Sequence, residues 1–305
     1  MGNIINIKKY EQENYICKTS NSFYNCELCF EVLFNSKSRK LQTLCYNSKN
    51  YLFFNEDKNY FFLFAKPPPL AYKFIIKEFD VEYLGALFLD RQTLNLDLNS
   101  FLDKSFIDVV KKSDRLLNNL DVIELSSVYN KNLRKSVKKW QNGIILCELN
   151  KNNLSQYKPE ILRFYETLEK NEKARRKETI FKCNFERKIL DSSVDFSGIV
   201  LYGGIDNQIL GVALWTMSNN KKIGISLSNK ANKNYSHLSD FLKYNCAKKM
   251  YSSGIQYQSV GGLTYRTHSD FKKKFQGDTE DFYSISLFYK NKAEMSFLHK
   301  FKLYI

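Results

Sequence analysis

The stretch from Gly198 to Tyr289 constrains the fold more than any other part of this chain. It opens with Gly198-Ile-Val-Leu-Tyr202 and a Gly-Gly-Ile-Asp-Asn-Gln turn, followed by Ile209-Leu-Gly-Val-Ala-Leu-Trp215. After Asn219-Asn-Lys-Lys comes Ile223-Gly-Ile-Ser-Leu-Ser228. Short apolar runs separated by turn residues predict an antiparallel meander. The period then changes. Leu238, Phe241, Leu242, Cys246 and Met250 fall at helical spacing between Tyr235 and Tyr251. A strand is expected over 255–260, ending in Gly261-Gly262, then a short basic helix over 269–275 and a last strand over 282–289.

Upstream, the helical face of Tyr157, Ile161, Phe164, Tyr165 and Leu168 predicts an amphipathic helix over 155–173, with a second over 178–191. Strands are expected over 30–34, 51–54, 60–65, 81–89, 122–125 and 144–149. Pro67-Pro-Pro69 ends the third of these. Residues 70–79 suit a strand or a short helix. Residues 102–117 read as a helix, and Ser126-Ser127 as the cap of a basic helix over 129–141 that stops before Gly143.

Strand, two helices, three strands, helix, strand, helix, strand is the order of a GNAT acyltransferase unit. Gln258-Ser-Val-Gly-Gly-Leu followed by Phe271-Lys272-x-x-Phe275-x-Gly277 resembles the FemABX and BioF2-like acyltransferases. Tyr129 to Lys139 and Phe164 to Arg175 resemble two helices of those proteins. The likeness runs over roughly residues 125–290. It implies an α/β (α+β) protein of two tandem GNAT-like halves, with mixed, mostly antiparallel sheets flanked by helices. Residues 1–140 form a degenerate first half on this reading and 141–290 a catalytic half. The tail 291–305 returns to the first half.

In a GNAT unit the donor lies beside the fourth strand, and the next helix points its first N–H groups at donor phosphates. The resemblance therefore assigns donor binding to Ser228, Asn229, Lys230, Lys233 and Ser236. The loop departs from the acetyl-CoA pattern, because no glycine lies between Gly224 and Gly254. Acyl-CoA and aminoacyl-tRNA both stay open as donors, and no tightly bound cofactor is expected. Lys272 aligns with the lysine of the family signature, where an ammonium can neutralise charge developing on the reacting carbonyl. In the loop Thr264-Tyr-Arg-Thr-His268, Tyr265 can protonate a leaving group and His268 can act as a base near neutral pH. Arg266 can clamp a phosphate or carboxylate. Gly261 and Gly262 allow close backbone approach to a ligand, and Arg134 can hold an acceptor phosphate. Glu166 and Glu169 are further candidate bases.

The 305 residues carry 47 Lys+Arg against 32 Asp+Glu, a net charge of +15. That excess favours a polyanionic partner: tRNA, a nucleotide-sugar, a phosphopantetheine donor or an anionic membrane face. No apolar run approaches a membrane span, and residues 1–9 lack the apolar core of a signal peptide. Cys26-x-x-Cys29 has no second pair or nearby histidine, so no zinc site is expected. The resemblance implies a bacterial cytoplasmic enzyme, acting at the inner face of the membrane or free of it. It would move an acyl or aminoacyl group to an amino group of an amino sugar or cell-envelope precursor. Two alternatives stand: a tRNA-dependent aminoacyltransferase of peptidoglycan type, and a non-catalytic GNAT-fold module that binds nucleic acid or a protein.

Overall fold

In a computed structural model, residues 3–6, 39–89, 109–125, 131–176, 183–203, 208–218, 223–262 and 278–290 are described. The chain forms two compact units. One comprises Met1–Asp114 with Glu280–Tyr304, the other Arg115–Thr279. The sequence reading drew the halves at 140/141 and 290, so the contact division differs at both edges. The reason lies in strand and helix partners. The strand Asp278–Tyr289 pairs antiparallel with Tyr83–Leu89 of the first unit. Residues 115–140 belong with the second unit because Asn119 donates to the Ile255 carbonyl at 2.9 Å and accepts from Gln258 at 2.7 Å.

The first unit contains β1 (Asn3–Asn6), β2 (Arg39–Tyr46), β3 (Lys49–Glu56), β4 (Asn59–Leu63), α1 (Pro69–Glu78) and β5 (Tyr83–Leu89). The C-terminal strand β12 (Asp278–Tyr289) completes its sheet, in the order β1-β2-β3-β4-β5-β12. Asn47 and Ser48 both take positive φ (49° and 60°). That is the two-residue hairpin geometry whose twist matches the flanking strands. Strands β1 to β4 are successively antiparallel, whereas β4 and β5 are parallel and joined over α1. Pro69 starts α1 where a missing N–H costs nothing. Ala71 and Ile75 of α1 pack on Phe53, Phe62, Leu84 and Ala86.

The second unit contains the end of β6 (Val109–Asn118, which enters this unit at Arg115), α2 (Asn119–Ile123), α3 (Lys131–Trp140), β7 (Ile144–Asn150), α4 (Leu154–Arg176), α5 (Asn184–Asp191), β8 (Ser197–Gly203), β9 (Gln208–Met217), β10 (Ile223–Ala231), α6 (Leu238–Ser252) and β11 (Tyr257–Gly262). The sheet order is β6-β11-β10-β9-β8-β7. Strands β8 to β10 form the expected antiparallel meander, β7 pairs antiparallel with β8, and β10 and β11 run parallel across α6. Trp215, Ala213, Leu201 and Ile199 on one face of the sheet pack against Phe241, Leu242, Cys246 and Met250 of α6.

Two sequence expectations are corrected. The helix expected over 102–117 is, in its described part, the strand β6. The strand expected over 122–125 is instead the short helix α2. Asn118 starts α2 by accepting the Leu120 N–H at 3.0 Å. A local cap and the burial of Asn119 and Val122 outweigh the β preference of Val122-Ile123. The expected 30–34 strand, the Cys26/Cys29 pair, the basic helix 269–275 and the tail 291–305 lie outside the described residues. Among the described residues no helix is long and apolar enough to cross a membrane.

Candidate active site on strand β10

β10 begins apolar and turns polar along its length: Ile223-Gly-Ile-Ser-Leu-Ser-Asn-Lys-Ala231. It pairs with β9 from Gly224↔Met217 to Ser226↔Trp215, then resumes at Ser228↔Leu214 and runs to Ala231↔Gly211. Leu227 is the extra residue of a β-bulge. A bulge breaks the ladder at one point and re-aims the side chains beyond it. In an unbroken strand Ser226, Ser228 and Lys230 would share one face. Here they are divided.

On the α6 face, a Cβ at Gly224 would lie 2.8 Å from the Met250 sulfur, so glycine lets the helix sit close to the strand. Next to it Ser226 Oγ receives Lys243 Nζ at 3.4 Å and Asn229 Nδ2 at 3.3 Å. Lys243 is only 4 % exposed. It is one of the buried residues of α6, with Leu242, Cys246 and Met250. The Cys246 thiol is pushed up to about 12 by burial, against the opposing pull of the Lys243 charge.

On the opposite face, Ser228 Oγ donates to Glu186 Oε1 at 3.2 Å and Lys230 Nζ lies 3.0 Å from the same oxygen. The Glu186 side chain is 6 % exposed. A carboxylate so far from water requires a partner, and Lys230 and Ser228 supply it. Around this pair, burial, then the Glu186 charge, pushes the Cys183 thiol up to about 12. Burial, then the same charge, raises the fully buried Tyr165 phenol well above its ordinary value. The Tyr165 hydroxyl has no hydrogen-bond partner among the described residues. Glu169 fastens α5 to α4: it accepts Arg187 guanidinium nitrogens at 2.5 and 3.2 Å and the Cys183 N–H at 2.5 Å.

The residues assigned to the donor thus separate into three places. Ser228 and Lys230 meet Glu186 on the α5 side. Asn229 lies with Ser226 on the α6 side. Lys233 and Ser236 lie in the connection to α6. That connection is tied to α3: Lys139 donates to Ser236 Oγ at 2.8 Å, Trp140 to the Ser236 carbonyl at 3.1 Å and Ser136 to the His237 carbonyl at 2.5 Å. His237 enters α6 at φ 64°, a left-handed conformation. Arg134 is exposed on α3 and donates to the Leu125 carbonyl at 3.4 Å. Gly261 and Gly262 are the last residues of β11. Tyr265, Arg266, His268 and Lys272 lie outside the described residues.

The sequence reading missed Glu186 and Lys243. The signal was present. Glu186 shares a helical stripe with Cys183, Ile189 and Leu190, and Lys243 shares one with Cys246 and Met250. A charged residue on a stripe that must face the core is either paired or functional.

The arrangement offers a ladder break at Leu227, with a buried ammonium on one face of the strand and a paired carboxylate on the other. A backbone N–H released from a ladder can donate to a carbonyl oxygen as negative charge builds on it.

No family model matches the chain, and no curated protein matches it. Solved structures do. The C-terminal domain of a candidate lysylphosphatidylglycerol synthetase from Agrobacterium fabrum is 14 % identical with a TM-score of 0.65, over 96 % of this chain and 95 % of that one. L-PGS from Bacillus licheniformis is 12 % identical with a TM-score of 0.62, over 95 % and 94 %. FemX is 9 % identical with a TM-score of 0.61, over 97 % and 99 %. A tandem GNAT protein from the clavulanic acid biosynthesis pathway also matches, with a TM-score of 0.53 at 8 % identity over 95 % and 100 %. These likenesses show the fold: an α/β protein of tandem GNAT type.

Proposed function

We propose that this chain is an acyltransferase that moves an acyl or aminoacyl group to an amino group, with the donor carbonyl held at the β10 bulge. The bulge at Leu227 carries the reading. It is the one break in the β9–β10 ladder, and it lies just beyond the residues of β10 that pair in parallel with β11. Acyl transfer needs a polarised carbonyl, a deprotonated amine and a protonated leaving group. The released backbone N–H groups polarise the carbonyl. Lys272 neutralises charge on its oxygen, His268 takes the proton of the acceptor ammonium and Tyr265 returns a proton to the leaving group. The Tyr265 and His268 roles rest on side-chain chemistry in the 264–268 loop, and the Lys272 role rests on the resemblance to the FemABX and BioF2-like enzymes. So does the acceptor class, an amino sugar or cell-envelope precursor.

The aminoacyl form of the reading, with aminoacyl-tRNA as donor, draws support from two facts. One is the net charge of +15. The other is the likeness to a candidate lysylphosphatidylglycerol synthetase, whose product carries a lysyl group. The test is transfer from acetyl-CoA and from charged tRNA, measured in parallel for wild type and Lys272→Ala. Transfer from either donor, weakened in Lys272→Ala, supports the reading and identifies the donor. Binding of a donor would fall steeply with salt if the donor is RNA and less so for a thioester. A folded protein that transfers from neither would overturn the reading in favour of a non-catalytic binding module.

A further inference from the structure

The exposed face of α3 carries charge of one sign only. Leu133, Ser136 and Val137 are buried, with Leu133 packed beside Val122 of α2 and Ala247 of α6. The other side of the helix carries Lys131, Arg134, Lys135, Lys138 and Lys139, all exposed, and no acid within its ten residues. Lys131, Lys135 and Lys138 fall at i, i+4 and i+7, one stripe of a helix. Arg134 and Lys139 flank the stripe and are already engaged, with the Leu125 carbonyl and with Ser236. On α6 the exposed Lys248 lies over the Tyr244 ring at 5.7 Å, and Lys249 bonds Glu148. Asp121 of α2, Glu124 at its C-terminal cap and Asp240 of α6 lie off α3.

We propose that the α3 face docks on an anionic lipid surface. The composition of the stripe favours a bilayer over a nucleic acid. Its members are lysines, whose ammonium is a point charge that suits mobile headgroups, whereas nucleic-acid backbones are recognised best by the fixed fork of arginine. The one arginine of the helix is bonded to backbone. The same helical layer also exposes Tyr251 and Leu120, at 43 % and 36 %. A half-buried Trp140 lies beside Lys139. Amphipathic rings and single aliphatic side chains near cations suit the headgroup boundary and add nothing to phosphate binding in RNA. The proposal is independent of the transferase reading, because docking needs neither donor nor acceptor.

The test is co-sedimentation of the full chain with phosphatidylcholine vesicles, with and without phosphatidylserine, at low and physiological ionic strength. The variants are Lys131→Gln/Lys135→Gln/Lys138→Gln and, as a control of equal charge change on the first unit, Lys49→Gln/Lys73→Gln/Lys77→Gln. Thermal melts verify that both fold. The expected result is salt-sensitive binding only to vesicles with phosphatidylserine, about 100-fold weaker in the α3 variant and within about threefold of wild type in the control. Three results would overturn the proposal: no binding by wild type, equal loss in both variants, or loss in the α3 variant of binding to an RNA duplex when vesicles are not bound at all.

Discussion

Each unit of this chain contains a parallel strand pair joined over one helix, β4-α1-β5 in the first and β10-α6-β11 in the second. In sheet order that pair lies between a run of antiparallel strands and one further strand, β12 beside β5 and β6 beside β11. What lines the two pairs differs. β4 and the residue after it are aromatic, with Phe61, Phe62 and Phe64 all buried. Phe54 and Phe61 stack at 5.1 Å, Phe53 and Phe62 lie at 5.6 Å, and two prolines precede α1, whose first residue is a third. β10 places Ser226, Ser228, Asn229 and Lys230 at the equivalent stage and breaks its ladder there. Aromatic packing contributes to stability and leaves nothing to donate. A polar strand with a bulge costs stability and presents groups that chemistry requires. One topology thus serves as scaffold in the first unit and as candidate site in the second.

The largest effect expected from breaking this contrast is in the scaffold. Phe62→Ala removes a fully buried ring and should destabilise the protein by about 3–5 kcal/mol, read by chemical denaturation. A loss under 1 kcal/mol would mean that the first unit is not held by its aromatic core. Deleting Leu227 makes the β9–β10 ladder regular, with Ser226 and Ser228 adjacent and still on opposite faces, so only the bulge is lost. Turnover per folded molecule should fall about 10²–10³-fold. Unchanged turnover would remove the bulge from the mechanism. Glu186→Gln leaves Lys230 and Ser228 without their carboxylate and should cost about 1–3 kcal/mol, with Lys230, a quarter exposed, at the lower end of that range. Glu186→Leu/Lys230→Met should recover most of that loss. Activity that recovers along with stability would reduce the pair to a structural role.

The smallest effect concerns how β12 is held in the first unit. Hydrogen bonds from Lys58 and Lys290, then their charges, hold the Asp80 carboxyl at about 2, well below its ordinary value. A lowered folded pKa contributes stability that is present above the ordinary carboxylate range and is lost as pH falls through about 2. Asp80→Asn should therefore lower the melting midpoint slightly at pH 7, and the difference from wild type should close as pH approaches 2. A difference that persists unchanged into acid would assign the effect to something other than these ion pairs.

Several parts of the second unit were legible because one periodicity governed each of them. The runs of β8, β9 and β10 are separated by turn residues, and the core stripe of α6 keeps helical spacing, so local sequence and global fold agree there. The tandem GNAT arrangement was expected from the family resemblance and not from periodicity. The agreement of local sequence and fold failed where short segments take their structure from a partner. β6 became a strand in a sheet whose neighbour, β11, is far away in sequence, and α2 formed around Asn119, whose bonds reach Ile255 and Gln258.

The candidate site divides in the same way. Ser228, Asn229 and Lys230 stood out in the sequence as polar residues ending an apolar strand. The sequence alone determined that these polar residues follow an apolar run and that the chain is rich enough in lysine to meet a polyanion; it read 227–236 as a loop, whereas β10 runs on through Ala231. Tertiary structure decided which way each one faces, because a single unpaired residue at Leu227 shifts the side-chain phase of everything after it. It also decided that Glu186 meets Lys230 and that Lys243 meets Ser226. Those contacts join helices to a strand 17 to 44 positions away, and side chains that distant in sequence meet only after the sheet and its helices have packed.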